Sequence, residues 1–530
     1  MAYGSNVSRL ARGRLIRAAA LIGLVGLLGA TAGTLSPSPG SAATRASVGK
    51  VVPKRGGTVT VGESSVAVGL DPSTTLGSAA WDPIGLIYSG LLRWSPTNTV
   101  EPDLATSYDN PNPTTFIFHL RKGVKFQNGQ PFTAADVKYT FDRILNPATA
   151  SPLFGEYSVI DSVTAVNPHT VRFELKHPSA PFLSALASIP DGMIVPQGVS
   201  NLATNPVGTG PFEFSSYQQG QELVLKRNPY YYVKGLPYLN QVVIRYFGDQ
   251  SSLVSAIRGG AVDMTWLSDP KVAASAGARP ARPARHWAVW INLAKAPFND
   301  VRVRRAMSVA TNRQQIIDLT LGRTNAQISG FIPPVEFGGD KDPVKDLHYY
   351  TYSPAEAKTL LAQAGHPNGL DLGTLDVDGT NQNDLHFAQI LQQQWGAVGI
   401  KITVNPMLPA DLLNAWHAGN FGLLGVSTKA LPDPDVISEK VVSTNSIWGK
   451  AWGYSDTTLD GLVASAASQL KPSTRVALYQ KIQQRIADQA YAIVLMQYPS
   501  VYELWRNYVR GYKPSIFALH TGLVTAWRKR

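Results

Sequence analysis

The chain has 530 residues, more than one hydrophobic core normally organises, so two or three domains are expected. Apolar residues make up 44% and charged residues 16%, a balance typical of a globular protein, which excludes general disorder. Cysteine is absent, which excludes disulfides, thiolate metal sites, a cysteine nucleophile and a lipid anchor attached through cysteine.

The net charge of +12 is unevenly distributed along the chain. Residues 1–55 hold eight of these excess positive charges and no acidic residue, which leaves only four for the rest. A nucleic-acid partner would need basic residues gathered in a patch with stacking aromatic rings. The remaining basic groups, Arg279–Arg285 and Arg528–Arg530, are typical of a solvated loop and a tail. We therefore expect no nucleic-acid partner.

The first residues have the pattern of an export signal. Basic residues precede an apolar run at Ala18–Ala32, and small-residue sites follow at Ala30–Ala32 and Ser41–Ala43. The run is short for a membrane span, which needs about 20 residues. We predict a signal peptide over residues 1–43 and a flexible linker over 44–55, so the protein is exported and extracytoplasmic. A retained N-terminal membrane anchor is the alternative.

The first half of the remaining chain alternates predicted strands and helices. Gly56–Gly62 alternates in polarity as a strand does, and Pro83–Leu92 has the periodicity of a helix. Thr133 and Asp136 form an acidic variant of the capping box, which predicts a helix start. Further elements are predicted as strands at Phe116–Leu120, Glu222–Lys226 and Gln241–Tyr246, a hairpin at Thr164–Leu175 and a helix at Ser251–Gly260.

The second half continues the alternation. Helices are predicted at Arg302–Leu321, Pro354–Ala364, Leu385–Val398 and Arg475–Ala490, and a strand at Ile400–Val404. Helices that alternate with strands indicate a layered α/β arrangement, while residues 93–203 favour an inserted α+β domain. The predicted fold class is therefore α/β, or mixed α+β.

The chain lacks the signatures of the common enzyme classes. It contains no His-Glu-x-x-His, no Gly-x-Ser-x-Gly, no phosphate loop and no dinucleotide-binding glycine motif. Asp376–Asp384 resembles a calcium loop, but Phe387 stands where the bidentate glutamate is required. We therefore expect a protein that is not an enzyme and holds no metal and no cofactor. A secreted hydrolase and a membrane-anchored receptor remain as remote alternatives.

Short landmarks follow one another in a fixed order along the chain. They are Tyr88–Leu92, Glu101–Tyr108, Thr115–Phe126, Asn128–Arg143, Pro206–Phe214, Arg227–Tyr232, Asn292, Pro297–Met307 and Asn312–Arg313. Together they resemble the family 5 extracellular solute-binding proteins, the oligopeptide- and dipeptide-binding components of ABC importers. The resemblance extends from about Gly57 to the C-terminus. It implies a periplasmic-binding-protein-like, two-lobed fold in its large three-domain variant, with a hinge and an interlobe cleft.

The resemblance also implies a domain layout and a function. Domain I would comprise residues 56–92, 204–290 and 497–530, with domain II inserted at 93–203 and domain III at 291–496. The ligand would lie between domains I and III. The protein, as a monomer, would capture a short peptide by hinge closure and deliver it to the transmembrane subunits of an ABC permease. A non-peptide solute, such as a sugar, an opine or a metal chelate, is the alternative.

Candidate ligand-binding residues follow the first strand, flank the hinge or lie in a diagnostic loop. They are Ser64, Ser65, Trp266, Trp287, Trp290, Asn292, Thr428, Lys429, Asp433, Gln497 and Tyr498. In the peptide-binding members, a Trp-x-x-Asp stretch supplies the aspartate that pairs with the peptide's α-ammonium group. Aligning Asp433-Pro434 with the family's Asp-Pro puts Ala430 at that aspartate and Ser427 at the tryptophan. Either Asp433 or Asp435 serves instead, or the ligand has no free N-terminus.

Overall fold

The computed structural model describes residues 52–75, 78–97, 99–281, 285–321, 326–332, 344–429, 433–435, 444, 449, 452–499, 501–513 and 519–529. The predicted signal peptide and residues 44–51 of the predicted linker lie outside these residues. Within the described ranges, no helix has the length and apolar character to cross a membrane. Pro53–Arg530 forms one compact unit, whose elements are given below.

The strands, in chain order, are β1 Thr58–Glu63, β2 Leu92–Trp94, β3 Val100–Pro102, β4 Ala105–Asn112, β5 Thr115–Leu120, β6 Ile160–Asn167, β7 Thr170–Leu175, β8 Phe212–Gln218, β9 Glu222–Arg227, β10 Gln241–Tyr246, β11 Met264–Leu267, β12 Arg279–Pro280, β13 Arg285–Ile291, β14 Gln327–Ile328, β15 Leu370–Asp378, β16 Ile400–Met407, β17 Leu423–Lys429, β18 Ala492–Tyr498, β19 Tyr502–Trp505, β20 Val509–Arg510 and β21 Trp527–Arg528.

The α-helices, in chain order, are α1 Trp81–Ile87, α2 Ala134–Leu145, α3 Phe154–Tyr157, α4 Pro181–Leu186, α5 Gln250–Gly259, α6 Pro270–Ala276, α7 Val301–Val309, α8 Arg313–Thr320, α9 Pro354–Gln363, α10 Gln382–Gly396, α11 Pro409–Ala418, α12 Thr457–Ser468 and α13 Pro472–Gln489. Single turns of 3-10 helix occur at Ser78–Ala80, Pro147–Thr149 and His348–Tyr350, and a longer one at Leu519–Val524.

A seven-stranded sheet gathers strands from three separate parts of the chain, in the order β12-β19-β11-β1-β10-β9-β8. β1 runs parallel to both of its neighbours, β10 and β11. The inward-facing Val59 and Val61 are fully buried, because alternate residues of a strand point to the same face. The predicted strands at Gly56–Gly62 and Gln241–Tyr246 are thereby confirmed, and they lie side by side.

A four-stranded antiparallel sheet, in the order β4-β5-β7-β6, lies within residues 105–175. Helix α2 packs on it through Phe141, whose ring centroid is 5.1 Å from that of Phe173 in an edge-to-face arrangement. The predicted capping box starts this helix, because the Asp136 carboxylate accepts a hydrogen bond of 2.8 Å from the backbone N–H of Thr133. The predicted hairpin is also confirmed, as β6 and β7.

A six-stranded sheet, in the order β14-β18-β13-β17-β15-β16, carries hydrophobic cores on both faces. Its central strand β13 is therefore almost continuously apolar, as a strand covered on both faces must be. Helices α7 to α10 supply residues to the core on one face, and α11 to α13 supply residues to the core on the other.

Two predicted helices have a different extent in the structure, and one strand crosses an expected domain boundary. The helix predicted at Pro83–Leu92 ends at Ile87, since the next residues leave the helix and Leu92 begins β2. The helix predicted at Arg302–Leu321 is two helices, because the Asn312 side chain accepts a hydrogen bond of 3.0 Å from the backbone N–H of Gln315 and starts α8 anew. β13 spans the expected boundary at 290/291, yet all of it pairs within the six-stranded sheet.

Candidate functional site

Two chain crossings connect the six-stranded sheet to the seven-stranded sheet. One runs from β12 to β13 and the other from β18 to β19. They lie side by side, because the backbone N–H of Ala281 donates a hydrogen bond of 2.9 Å to the carbonyl of Val501. The C-terminal ends of β1, β10 and β11 lie on the side of the seven-stranded sheet that is next to the crossings. We call this row of strand ends the edge of the sheet. The C-terminal ends of β15, β17 and β18 lie on the side of the six-stranded sheet that is next to the crossings, which we call the edge of that sheet.

Polar side chains gather at this edge of the six-stranded sheet. We call them the edge cluster: Arg285, His286, Asp384, Ser427, Thr428, Gln497 and Tyr498. The strand register divides the strand members of the cluster between the two faces of the sheet, since neighbouring residues of a strand point in opposite directions.

On one face, three side chains form a hydrogen-bonded chain. The Ser427 and Tyr498 hydroxyl oxygens lie 2.6 Å apart, and Ser427 Oγ donates to Asp384 Oδ1 over 3.2 Å. Asp384 belongs to the first turn of α10 and is only 2% exposed. Burial raises the pKa of the Asp384 carboxyl to about 7, so this acid titrates near neutral pH.

On the other face, His286 is fully buried beside Thr428. The hydroxyl of Thr428 lies 2.6 Å from His286 Nε2, and Gln327 Nε2 donates to Gln497 Oε1 over 3.3 Å. Burial lowers the pKa of His286 to about 4, so the imidazole is neutral at physiological pH. Within the described part of the chain, no hydrogen-bond partner contacts its Nδ1 atom.

The structure brings three of the predicted site residues together at the edge of the six-stranded sheet. It places three more at or near the edge of the seven-stranded sheet. Thr428, Gln497 and Tyr498 belong to the edge cluster. Ser64 and Ser65 directly follow β1 at the edge of the seven-stranded sheet, next to the crossings, and both are exposed. Trp266 lies on β11 of that sheet and is 7% exposed, with its ring 6.4 Å from that of Tyr512.

Three predicted residues lie in the core instead. Trp287 packs edge to face on Phe387 at 5.4 Å between ring centroids, and Trp290 packs among aromatic rings on the opposite face of the sheet. Asn292 donates two hydrogen bonds from Nδ2, to the carbonyls of Gly419 and Phe421. The two tryptophans contact core aromatic rings and Asn292 contacts backbone carbonyls, so we assign all three to packing and leave them out of the proposed site.

Asp433 already has partners within the protein. Arg475 holds both of its carboxylate oxygens, with Nη1–Oδ2 and Nη2–Oδ1 distances of 2.8 and 2.5 Å. Ser184 Oγ of helix α4 donates to Asp433 Oδ2 over 2.9 Å. Asp433 is 3% exposed, and its charge is compensated by the guanidinium group. Ala430 and the side chain of Lys429 lie outside the described residues.

Asp384, Ser184 and Arg475 were not predicted from the sequence as site residues. Asp384 carried a weak signal, because it ends a polar loop that directly precedes an amphipathic helix. Ser184 and Arg475 carried none, since their meeting with Asp433 depends on how separate parts of the chain pack.

A cavity of about 380 Å³ lies away from the crossings, lined by residues of α1, β2 and β3 and of the segments that follow α4 and β9. Aromatic and charged side chains line it, among them Trp81, Arg93, Trp94, Asp103 and Tyr231. None of the predicted site residues lines this cavity.

Comparison with known proteins agrees with this architecture. Residues 99–447 match the family described as bacterial extracellular solute-binding proteins, family 5. A di/tripeptide-binding protein of Pseudomonas aeruginosa is 27% identical over 86% of this chain and 92% of its own.

Solved structures give the same result for the fold. An ABC transporter substrate-binding protein of Listeria monocytogenes superposes with a TM-score of 0.80 at 24% identity, over 90% of this chain and all of the other. The oligopeptide-binding protein AppA of Bacillus subtilis, solved with a nonapeptide, superposes with a TM-score of 0.74 at 22% identity, with the same coverage. The family match covers well over half of the sequence, and the chain therefore belongs to the family 5 bacterial extracellular solute-binding proteins.

Proposed function

We propose that this protein captures a short peptide between its two large sheets and delivers it to the transmembrane subunits of an ABC permease. The observation that carries the proposal is the pair of crossings, which join two polar sheet edges that face the same space. Ligands of layered α/β proteins bind beyond the carboxyl ends of strands, where such edges meet. The di/tripeptide-binding relative supports a peptide as the ligand.

Three domains account for this architecture. We place domain I around the seven-stranded sheet, domain II around the four-stranded sheet and domain III around the six-stranded sheet. The boundary between domains I and III then falls at the crossings, at residues 281–285 and 498–502, because Arg285–Ile291 pairs only with strands of domain III. This moves the first boundary by several residues from the expected 290/291.

Contacts between domains II and III support closure as the means of capture. The backbone N–H of Ala180 donates to the carbonyl of Ala467 on α12 over 2.7 Å, and Ser184 contacts Asp433. Under this layout, both contacts join the lobe formed by domains I and II to the lobe formed by domain III. A closed lobe arrangement forms them and an open one breaks them, as hinge motions do.

Membership of the family places the protein outside the cytoplasm. Its relatives are binding proteins. We propose that it binds and releases its ligand chemically unchanged, and that it does so as a monomer. We further propose that the N-terminal signal is cleaved and that the absence of cysteine leaves the mature protein without a lipid anchor.

A non-peptide solute is the second candidate ligand. Ala430 stands where the resemblance expects the aspartate that pairs with a peptide's ammonium group, and Asp433 is held by Arg475. A ligand without a positive charge at that end would need neither residue.

Native mass spectrometry of residues 56–530, purified so gently that cell-derived ligand is retained, decides between the two. A series of bound masses that fragment as short peptides supports the peptide proposal. A single bound mass with the fragmentation of a sugar, an opine or a metal chelate refutes it and establishes the second candidate.

A further inference from the structure

We infer that Asp384 is the carboxylate that receives the positively charged amino group of the ligand, beside the half-buried Ser427. The inference rests on the proposed capture of a ligand at the crossings and names the charged group that the site recognises. It assigns to α10 a role that the resemblance places on the loop after β17.

The carboxylates near the edge of the six-stranded sheet differ in electrostatic state. Asp433 is neutralised by two hydrogen bonds from Arg475. Asp384 is as deeply buried, yet within the described residues no Lys, Arg or His nitrogen comes within 4 Å of its oxygens, and the hydroxyl of Ser427 contacts it as a neutral donor. A buried carboxylate without a cationic partner is unfavourable in its charged form, and a bound cation would remove that cost.

The ligand also needs access to the carboxylate. Ser427 is half-buried, and its hydroxyl oxygen joins Asp384 to Tyr498 at the edge where the chain crosses between the sheets. The side chain at this position is small, and we expect rotation of its hydroxyl group to open the carboxylate to the space between the two sheets. An ammonium group that enters there meets one charged acceptor in Asp384 and two neutral ones in the hydroxyl oxygens.

The surrounding charge also affects Asp384. Arg285 of β13 and Asp378 at the end of β15 are the other charged residues that act on Asp384, with opposite effects on its pKa. Tyr498 is neutral throughout the physiological range, since burial raises its pKa to about 12. Neither charged residue forms an ion pair with the carboxylate within the described residues, so the charge of a bound ligand would decide whether Asp384 holds a proton.

A pH dependence follows from this arrangement. Without ligand, Asp384 binds a proton as the pH falls below about 7, whereas an ammonium group bound beside it favours the ionised form. The ligand must then displace the proton at low pH. Affinity is expected to be highest above pH 7 and to fall by up to about tenfold for each pH unit below it.

The test uses the mature chain and defined probes. Di- to penta-alanine peptides and their N-acetylated counterparts are titrated into the wild type, Asp384→Asn and Asp376→Asn by isothermal titration calorimetry. Asp376 is a matched control, because it is a buried aspartate near the same edge whose carboxylate accepts a hydrogen bond of 2.8 Å from Asn405. Melting temperatures establish that each variant is folded.

We expect free alanine peptides to bind the wild type at least tenfold more tightly than acetylated ones. Asp384→Asn should remove that preference, and Asp376→Asn should keep it. If Asp384→Asn keeps the preference for free peptides, or if the wild type shows no preference, the inference is overturned and the peptide proposal stands. If the wild type binds no peptide of either kind, the peptide proposal falls and the inference falls with it.

The wild-type pH profile keeps the inference testable if Asp384→Asn fails to fold. Affinity for the tightest-binding free peptide should fall between pH 8 and pH 5.5. An affinity that does not change over this range contradicts the inference.

Discussion

Ser184 Oγ donates a hydrogen bond of 2.9 Å to Asp433 Oδ2, although the two residues are 249 positions apart in the chain. The bond joins helix α4, beside the four-stranded sheet, to the segment that follows β17 of the six-stranded sheet. Asp433 therefore contributes to contact between the two proposed lobes, whereas the sequence analysis expected it to contact the ligand.

We expect Ser184→Asp to open the unliganded protein, because a second carboxylate would face Asp433 at hydrogen-bonding distance. Small-angle X-ray scattering should show a larger radius of gyration than that of the wild type, and Ser184→Ala should show a smaller increase in the same direction. Ser255→Asp is the control, since it adds the same charge on an exposed helical position of the seven-stranded sheet's domain. An unchanged radius in Ser184→Asp would show that this contact does not restrain the lobes.

Arg475→Met should lower the free energy of unfolding by about 3–5 kcal/mol, because it leaves the buried Asp433 carboxylate without its cation. Urea unfolding followed by circular dichroism measures the change. The double variant Arg475→Met/Asp433→Asn should recover much of the loss, since the uncompensated Asp433 charge is then removed as well. A double variant as unstable as Arg475→Met would show that the loss comes from packing of the long side chain instead.

Asp384→Asn should stabilise the unliganded protein at pH 8 by about 1–3 kcal/mol. Burial raises the folded-state pKa of this carboxyl from 3.8 to about 7, so the folded state binds the proton more tightly than the unfolded state. The stability contributed by Asp384 is therefore present at low pH and is lost as the pH rises towards 7 and above.

Thermal unfolding from pH 4 to pH 8 measures this effect. The melting temperatures of wild type and Asp384→Asn should converge at the acidic end and separate at the basic end, with the variant higher. A constant difference at all pH values would mean that Asp384 titrates normally.

Gly425→Ala should destabilise the protein by about 1–3 kcal/mol, through overpacking of the core on the six-stranded sheet. A methyl group at residue 425 would lie 2.5 Å from Cζ2 of the fully buried Trp287, which has no room to move away. Gly461→Ala on α12 is the control, because nothing lies within 4 Å of the added carbon. There the exchange should stabilise the helix by about 0.5–1 kcal/mol. Chemical unfolding of both variants measures the contrast.

Local patterns in the sequence predicted the elements whose causes are local. β10 has the predicted bounds, and the Thr133–Asp136 capping box starts α2 where expected, because alternation and capping depend on neighbouring residues. The prediction of a single helix at Arg302–Leu321 was wrong, and its cause is also local. Its apolar periodicity continues through a residue, Asn312, whose side chain caps the second helix.

The site was harder to predict, because it depends on which strands become neighbours. The aromatic side chains Trp287 and Trp290 were expected to line a cleft, but β13 became the central strand of a sheet covered on both faces. Asp384 acquires its properties only when α10 brings it against Ser427 of β17, a pairing that no short-range pattern encodes.

The paired crossings restrict how the lobes can move. A single connection would let one lobe swing and also twist about the chain, whereas two connections held together by the Ala281–Val501 hydrogen bond define a line between them. Rotation about that line costs little, and rotation about any other axis strains one of the two chains. Ligands of different size would then leave the proposed lobes at different angles of one rotation, so the proposed permease partner would have a single variable to read.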